Sequence, residues 1–214
     1  MQEYIKIASK QYPNVILRAV PGHFVTPHAH VNYYLDMSPL KFRCTEAHAA
    51  AKALSSIHYF STSVDTIIAL EGTEVVAGYL ADELTKEGVL CKNAHKSIYV
   101  LPPEMTSDGQ LIFRDSLLPW ISGRNVLLLF SAITTGANAA QAIESLRYYG
   151  ATISGVSALF SLAASIAKMP VYSIFTQADL PDYHAYSSGS CDLCEEGKPV
   201  DAIANGFGFT PLRR

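Results

Sequence analysis

The sequence predicts an α/β fold built on a doubly wound parallel sheet, and three observations carry that prediction. Short apolar runs at 65–70, 126–130, 151–160 and 171–175 have the length and density of strands buried on both faces. Stretches between them place apolar residues at helical spacing, giving the β-α alternation of a parallel sheet. Two of the runs empty into short Gly- and Thr-bearing loops at 71–73 and 134–138, and ligands collect beyond the C-terminal strand ends of such sheets.

In chain order, residues 2–11 read as a short opening helix, 15–20 as a strand and Pro21-Gly22 as a turn. Thr45 is placed to cap an Ala-rich helix ending near His58. After the strand at 65–70, Thr73 opens a second helix whose Val76, Leu80 and Leu84 share one face, with Gly88 as its stop. Residues 97–101 and 110–114 read as extended segments of one hairpin arm, joined through Pro102-Pro103 and Ser107-Asp108-Gly109. The strand at 126–130 feeds a helix in which Ala139, Ala142, Ile143, Leu146 and Tyr149 recur at helical spacing. The tail after Pro181, rich in Tyr, Ser, Gly and acidic residues, reads as loop. With no repeat, low-complexity tract or long linker, the chain 1–214 counts as one domain.

Composition narrows the function classes. The chain has 214 residues, 49% hydrophobic and 16% charged, with a net charge of -3. That balance gives no basic stripe for nucleic acid. No segment approaches the ~18 apolar residues of a membrane span, and the N-terminus lacks the apolar centre of a signal peptide. The expectation is a cytoplasmic protein with its four cysteines reduced.

The chemistry is concentrated in Thr134-Thr135-Gly136-Ala137-Asn138. A strand emptying into such a loop and then a helix N-terminus offers free N–H groups and the positive end of a helix dipole, which together favour a phosphate. Gly136 lets the backbone approach closely, and the threonine hydroxyls add hydrogen bonds.

Here the chain resembles the type I phosphoribosyltransferases, their orotate branch in particular. In that family the equivalent stretch reads roughly VLLVDDVITTGGS, which lays onto residues 126–138 without a gap; Phe130 and Ser131 stand where the acidic pair belongs. Gly22-His23-Phe24 followed by Asn32-Tyr33-Tyr34-Leu35-Asp36 is similar to the family's GxF…SxYYID segment. Glu71-Gly72-Thr73-Glu74 falls where the pyrophosphate loop belongs, and residues 191–200 resemble a CPLCxxGxPV tail. The resemblance spans roughly residues 15–200.

The resemblance implies phosphoribosyl binding by Ser131, Ile133, Thr134, Thr135, Gly136, Ala137 and Asn138, and a pyrophosphate loop at Glu71, Gly72 and Thr73. It also implies a base pocket at Tyr33 and Tyr34, a small hood layer from segments near 1–44 and 181–214, Mg²⁺ as cofactor, phosphoribosyl pyrophosphate and a nitrogen base as partners, and a homodimer. The activity implied is transfer of phosphoribose to the base with release of pyrophosphate; the alternative is a regulatory module that keeps a phosphate or nucleotide site without the transfer chemistry. No catalytic residue is assigned. Phe130 accepts no hydrogen bond and Ser131 offers only a neutral hydroxyl, so a missing pair of charge-assisted bonds at ~1.5–3 kcal/mol each weakens ribose recognition. Glu71 and Glu74 are the candidates for an acidic set that has moved. Lys92, Lys96 and Arg114 are the cations nearest the arm, which occupies the place of the family's catalytic loop.

Two other groupings favour structural readings. Cys191 and Cys194 have the spacing of half a zinc site, but no second CxxC exists, so they read as a structural pair. His23, His28 and His30 read as solvent-facing loop residues rather than a metal set. No metal ligand is expected.

Overall fold

The computed structural model describes residues 4–27, 29–58, 62–86, 92–94, 97–106, 110–187 and 189–212. The central sheet has the order β10-β11-β9-β8-β4-β5, where β4 is Thr66–Ala69, β5 Tyr99–Leu101, β8 Asn125–Ile133, β9 Thr152–Ser161, β10 Ser165–Ile166 and β11 Met169–Thr176. Every pairing in it is parallel except the β10–β11 edge hairpin. Side-chain alternation along β8 explains the double winding. Leu127 and Leu129 enter the core shared with α1 (Ser38–Phe42), α2 (Cys44–His58) and α3 (Glu74–Thr85), whereas Val126, Leu128 and Phe130 face α4 (Ala137–Tyr148).

A second sheet lies over the α1–α3 side and shares its core. Its order is β12-β3-β2-β13-β14, with β1 (Ile5–Ala8) also paired to β2 (Ile16–Val25). The others are β3 (His30–Asp36), β12 (Ala185–Tyr186), β13 (Ala202–Asn205) and β14 (Gly208–Pro211). Both ends of the chain therefore build one layer. A small hairpin of β6 (Glu104–Met105) and β7 (Leu111–Ile112) stands apart, and a short helix α5 (Asp192–Glu195) precedes β13.

Several local expectations change. The opening helix is instead strand β1, because pairing Ile5–Ala8 with Ala19–Ile16 extends the sheet and outweighs local helix propensity. Pro21-Gly22 is not a turn: β2 runs through it, and a register shift between Pro21 and Phe24 absorbs the irregularity. Thr45 lies inside α2, which begins at Cys44, rather than capping it. Residues 99–101 join the parallel sheet beside β4, so among the described residues of the arm only 104–105 and 111–112 pair as a hairpin. Part of the tail is strand, since β13 finds an open edge on β2. Gly88 and Ser107-Asp108-Gly109 lie outside the described residues. Among those described, no helix is long and apolar enough to cross a membrane.

His58, at the end of α2, is fully buried against β9. Its Nε2 lies 2.6 Å from Ser157 Oγ and its Nδ1 3.2 Å from Thr62 Oγ1. Burial disfavours the imidazolium and pushes the pKa from 6.5 down to about 4. The unfolded chain takes up this proton first as pH falls, so the contribution of neutral His58 is intact above pH 6.5 and is lost on acidification toward 4. The loss amounts to about 3 kcal/mol. Urea unfolding at pH 7 and 4.5 should show a steeper acid loss in the native chain than in His58→Gln; equal slopes would mean the imidazole is not held neutral.

Candidate functional site

β8 ends at Ile133 and its chain turns through Thr134, Thr135 and Gly136 into α4. Gly136 sits at φ +81, the left-handed region that favours glycine, and a Cβ added there would lie 3.1 Å from Ile166 Cδ1. No side chain caps α4; the Ala137 N–H makes only a long 3.5 Å contact with Thr135 Oγ1. The first-turn amides, which have no intrahelical acceptors, thus face outward. Thr135, Ala137 and Asn138 are exposed, and Thr134 and Gly136 half-buried. Residues 130, 132–136, 138 and 139 line a notch of about 40 Å³. At ~10–15 Å³ per water, it is wide enough for a small oxyanion. The amides and dipole of α4 favour negative charge there.

Phe130 and Ser131 occupy the end of β8 with different roles. Phe130 is 1% exposed and packs with Ile68, Leu128 and Ala139, so its ring seals the α4 side of the sheet. Ser131 is also buried. Beside them β4 has already ended, and the amides of Ser131 and Ala132 project past its last paired residues, Ala69 and Leu129. The Glu71 carboxylate fills that gap: its Oε2 accepts from both amides at 3.2 Å. Glu71 therefore brings a carboxylate to the Phe130–Ser131 end of β8, and its Oε1 has no hydrogen-bond partner among the described residues.

The turn that aims Glu71 is conformationally costly. Glu71 adopts φ +58 and Gly72 φ +80, and a left-handed non-glycine residue costs roughly 1–2 kcal/mol. Burial pushes the Glu71 carboxyl up from the usual carboxylate range, opposed by the two amides and by Lys41. Thr73 points inward: its Oγ1 donates to Leu70 O at 2.9 Å and Leu129 O at 3.2 Å, pinning α3 to the strand ends. Its hydroxyl stabilises the loop from beneath.

Lys41 is the residue that sequence reasoning missed. It is fully buried, and its Nζ donates to Glu71 O at 2.9 Å and to Gly206 O at 2.5 Å. One ammonium group thus ties the 71–72 turn to the β13–β14 turn of the other sheet. Phe42 and Phe207 flank it, with ring centroids 5.1 and 5.4 Å from Nζ, and both rings are largely exposed. Burial lowers the Lys41 pKa, against the pull of Glu71, Glu74 and Asp36. Nothing in Ser-Pro-Leu-Lys-Phe marks this lysine, since both acceptors are backbone carbonyls distant in sequence.

The remaining candidates are dispersed. Tyr34 is buried between Phe24 and Phe209, with its hydroxyl pKa pushed up to about 12, first by burial and then by Asp36. Tyr33 instead lines a second cavity of about 380 Å³ with Gly22, Asn32 and Lys198. In the arm, Arg114 is held by Glu104 through bonds of 2.9 and 2.6 Å. Lys92 is exposed, and Lys96 lies outside the described residues. The reading of the histidines as solvent-facing loop is corrected: His23 is in β2 and 2% exposed, and His30 opens β3, because the β2–β3 hairpin extends through this segment. His28 lies outside the described residues.

The fold is that of the type I phosphoribosyltransferases. Leishmania donovani UMP synthase matches with TM-score 0.54 and 16% identity over 76% of this chain and 34% of that one. Mycobacterium tuberculosis orotate phosphoribosyltransferase matches at 0.50 and 16% over 71% of this chain and 84% of that one. A Corynebacterium diphtheriae phosphoribosyltransferase matches at 0.50 and 19% over 76% and 90%. In sequence the chain is similar to the orotate phosphoribosyltransferase of Chlorobium phaeobacteroides, 28% identical over 192 residues, covering 85% of this chain and 86% of that protein. No family model matches the chain.

Proposed function

We propose that the protein is a phosphoribosyltransferase of orotate type, moving phosphoribose from phosphoribosyl pyrophosphate to a nitrogen base with release of pyrophosphate. The observation that carries this reading is the Glu71 carboxylate bonded to the Ser131 and Ala132 amides, beside the uncapped start of α4. On this reading the amides and hydroxyls from Ser131 to Asn138, with Ile133 as the apolar floor, hold the 5-phosphate and ribose. Glu71 Oε1 accepts from the ribose hydroxyls or faces Mg²⁺, an ion that takes one or two carboxylates together with substrate phosphates. When bound, Mg²⁺ neutralises charge on the departing pyrophosphate. Glu71, Gly72 and Thr73 form the pyrophosphate loop, with Thr73 holding its shape rather than touching ligand. Tyr33 is the better placed of the two tyrosines for a base, being half-buried at a cavity. The setting proposed with this activity is a cytoplasmic homodimer.

A second reading has its own support. Phe130 is sealed in the core, and Arg114, exposed on the arm, is paired with Glu104. Both fit a phosphate- or nucleotide-binding regulatory module that has lost transfer chemistry. Pyrophosphate release with Mg²⁺, phosphoribosyl pyrophosphate and orotate or other nucleobases separates the two, alongside calorimetric binding of phosphoribosyl pyrophosphate. Steady turnover, abolished by Gly136→Val, supports the transferase. Binding without turnover for any base supports the module, and the absence of both rejects either.

A further inference from the structure

Cys191 is the N-cap of α5 and Cys194 lies within its single turn, and the β2–β3 hairpin brings two imidazoles to them. Cys194 Sγ lies 3.3 Å from His30 Nδ1 and 3.6 Å from His23 Nε2; Cys191 Sγ lies 3.7 Å from His23 Nε2, and the two imidazole nitrogens are 3.0 Å apart. All four donor atoms fall within 4.8 Å of one another. Tetrahedral zinc, with bonds of ~2.3 Å to sulfur and ~2.0–2.1 Å to nitrogen, separates its ligand atoms by roughly 3.3–3.8 Å. We propose that His23, His30, Cys191 and Cys194 bind one Zn²⁺ as a closed structural site.

Spacing along the chain supplies half of such a site, and the β2–β3 pairing supplies the rest by bringing buried His23 and His30 together beside α5. His23 is also oriented for the task. Its Nδ1 lies 3.0 Å from Lys198 O, and a carbonyl only accepts, so Nδ1 carries the proton and Nε2 keeps its lone pair toward the sulfurs. With two thiolates and two imidazoles the set is N₂S₂, a tetrahedral donor set characteristic of zinc, and four protein ligands leave no open position for substrate. The ion would fasten the segment before β13 to the N-terminal hairpin and hold one wall of the 380 Å³ cavity, which His23, Leu193 and Lys198 help to line. This role is independent of whether transfer chemistry survives.

The test uses tag-free, reduced, full-length protein. Elemental analysis should find one zinc per chain. Replacement by Co²⁺ should give the strong visible absorption of a tetrahedral site with thiolate-to-cobalt charge transfer, a measurement that needs no variant to fold. Cys194→Ser, at an exposed position, should lose zinc or weaken it at least tenfold. Failure to take up zinc under reducing conditions, an octahedral cobalt spectrum, or full zinc occupancy in Cys191→Ser/Cys194→Ser would overturn the proposal.

Discussion

Lys41→Ala is expected to lower the unfolding free energy by about 2–5 kcal/mol, the range for breaking a buried hydrogen-bond network. The substitution leaves the carbonyls of Glu71 and Gly206 without their donor and opens space beneath Phe42 and Phe207. Each orphaned acceptor costs about 1–3 kcal/mol where water cannot replace the lysine. Opposing this, the ammonium is itself disfavoured by burial, as its lowered pKa records, so part of the cost returns when the charge is removed. Lys41→Met separates the contributions by keeping the volume without the donor. Urea midpoints at constant m should rank native, then Met, then Ala. A Met variant as stable as the native chain would show that the lysine acts only by filling space. Proton linkage adds a signature. Below 10.5 the unfolded chain holds the Lys41 proton more tightly, so native stability should rise with pH through the window between the lowered folded value and 10.5, relative to Lys41→Met.

The Lys41 contact also shows which features a sequence reveals. β4, β8, β9 and β11 were legible because their apolar runs are local and, except along β11, mostly buried, and the loop at 134–138 because strand, glycine and helix follow one another directly. Of the second sheet only β2 was, through the run at 15–20. Ile5–Ala8 becomes a strand only against β2, and β13 depends on pairing Ala202 and Ile203 with Phe24 and Val25. Such pairings bring chain ends together, and periodicity within a short segment carries no record of its partner. The site divides in the same way. Gly136 announces its left-handed turn by its identity, whereas Glu71 adopts one that its side chain does not advertise. Sequence reading counted Phe130 and Ser131 as a lost acidic pair and raised Glu71 and Glu74 only as acids that had moved. Only the backbone turn at 71–72 shows that the Glu71 carboxylate reaches β8.

Glu71→Gln should cut phosphoribosyl pyrophosphate turnover, or its binding if turnover is absent, by roughly a hundredfold, the equivalent of about 2.7 kcal/mol. Gln keeps an amide oxygen able to accept from Ser131 and Ala132, so the turn and the fold should persist. Removing a desolvated carboxylate can even raise stability, since burial already pushes this group toward its neutral form. A variant that loses ligand while holding or gaining its unfolding midpoint would separate a functional carboxylate from a structural one. The pH dependence gives an independent check. Because the folded pKa of Glu71 is raised above 4.5, the ionised fraction, and with it Mg²⁺-dependent affinity, should fall as pH drops through that raised value. The stability sign is opposite: the desolvation cost of the carboxylate is present above the folded value and disappears on acidification to below 4.5. Glu71→Gln should flatten both responses. Retention of native affinity in Glu71→Gln would place the sugar away from this carboxylate and remove the main support for the transferase reading. The left-handed backbone at Glu71 would then have to be explained by the two amide bonds alone.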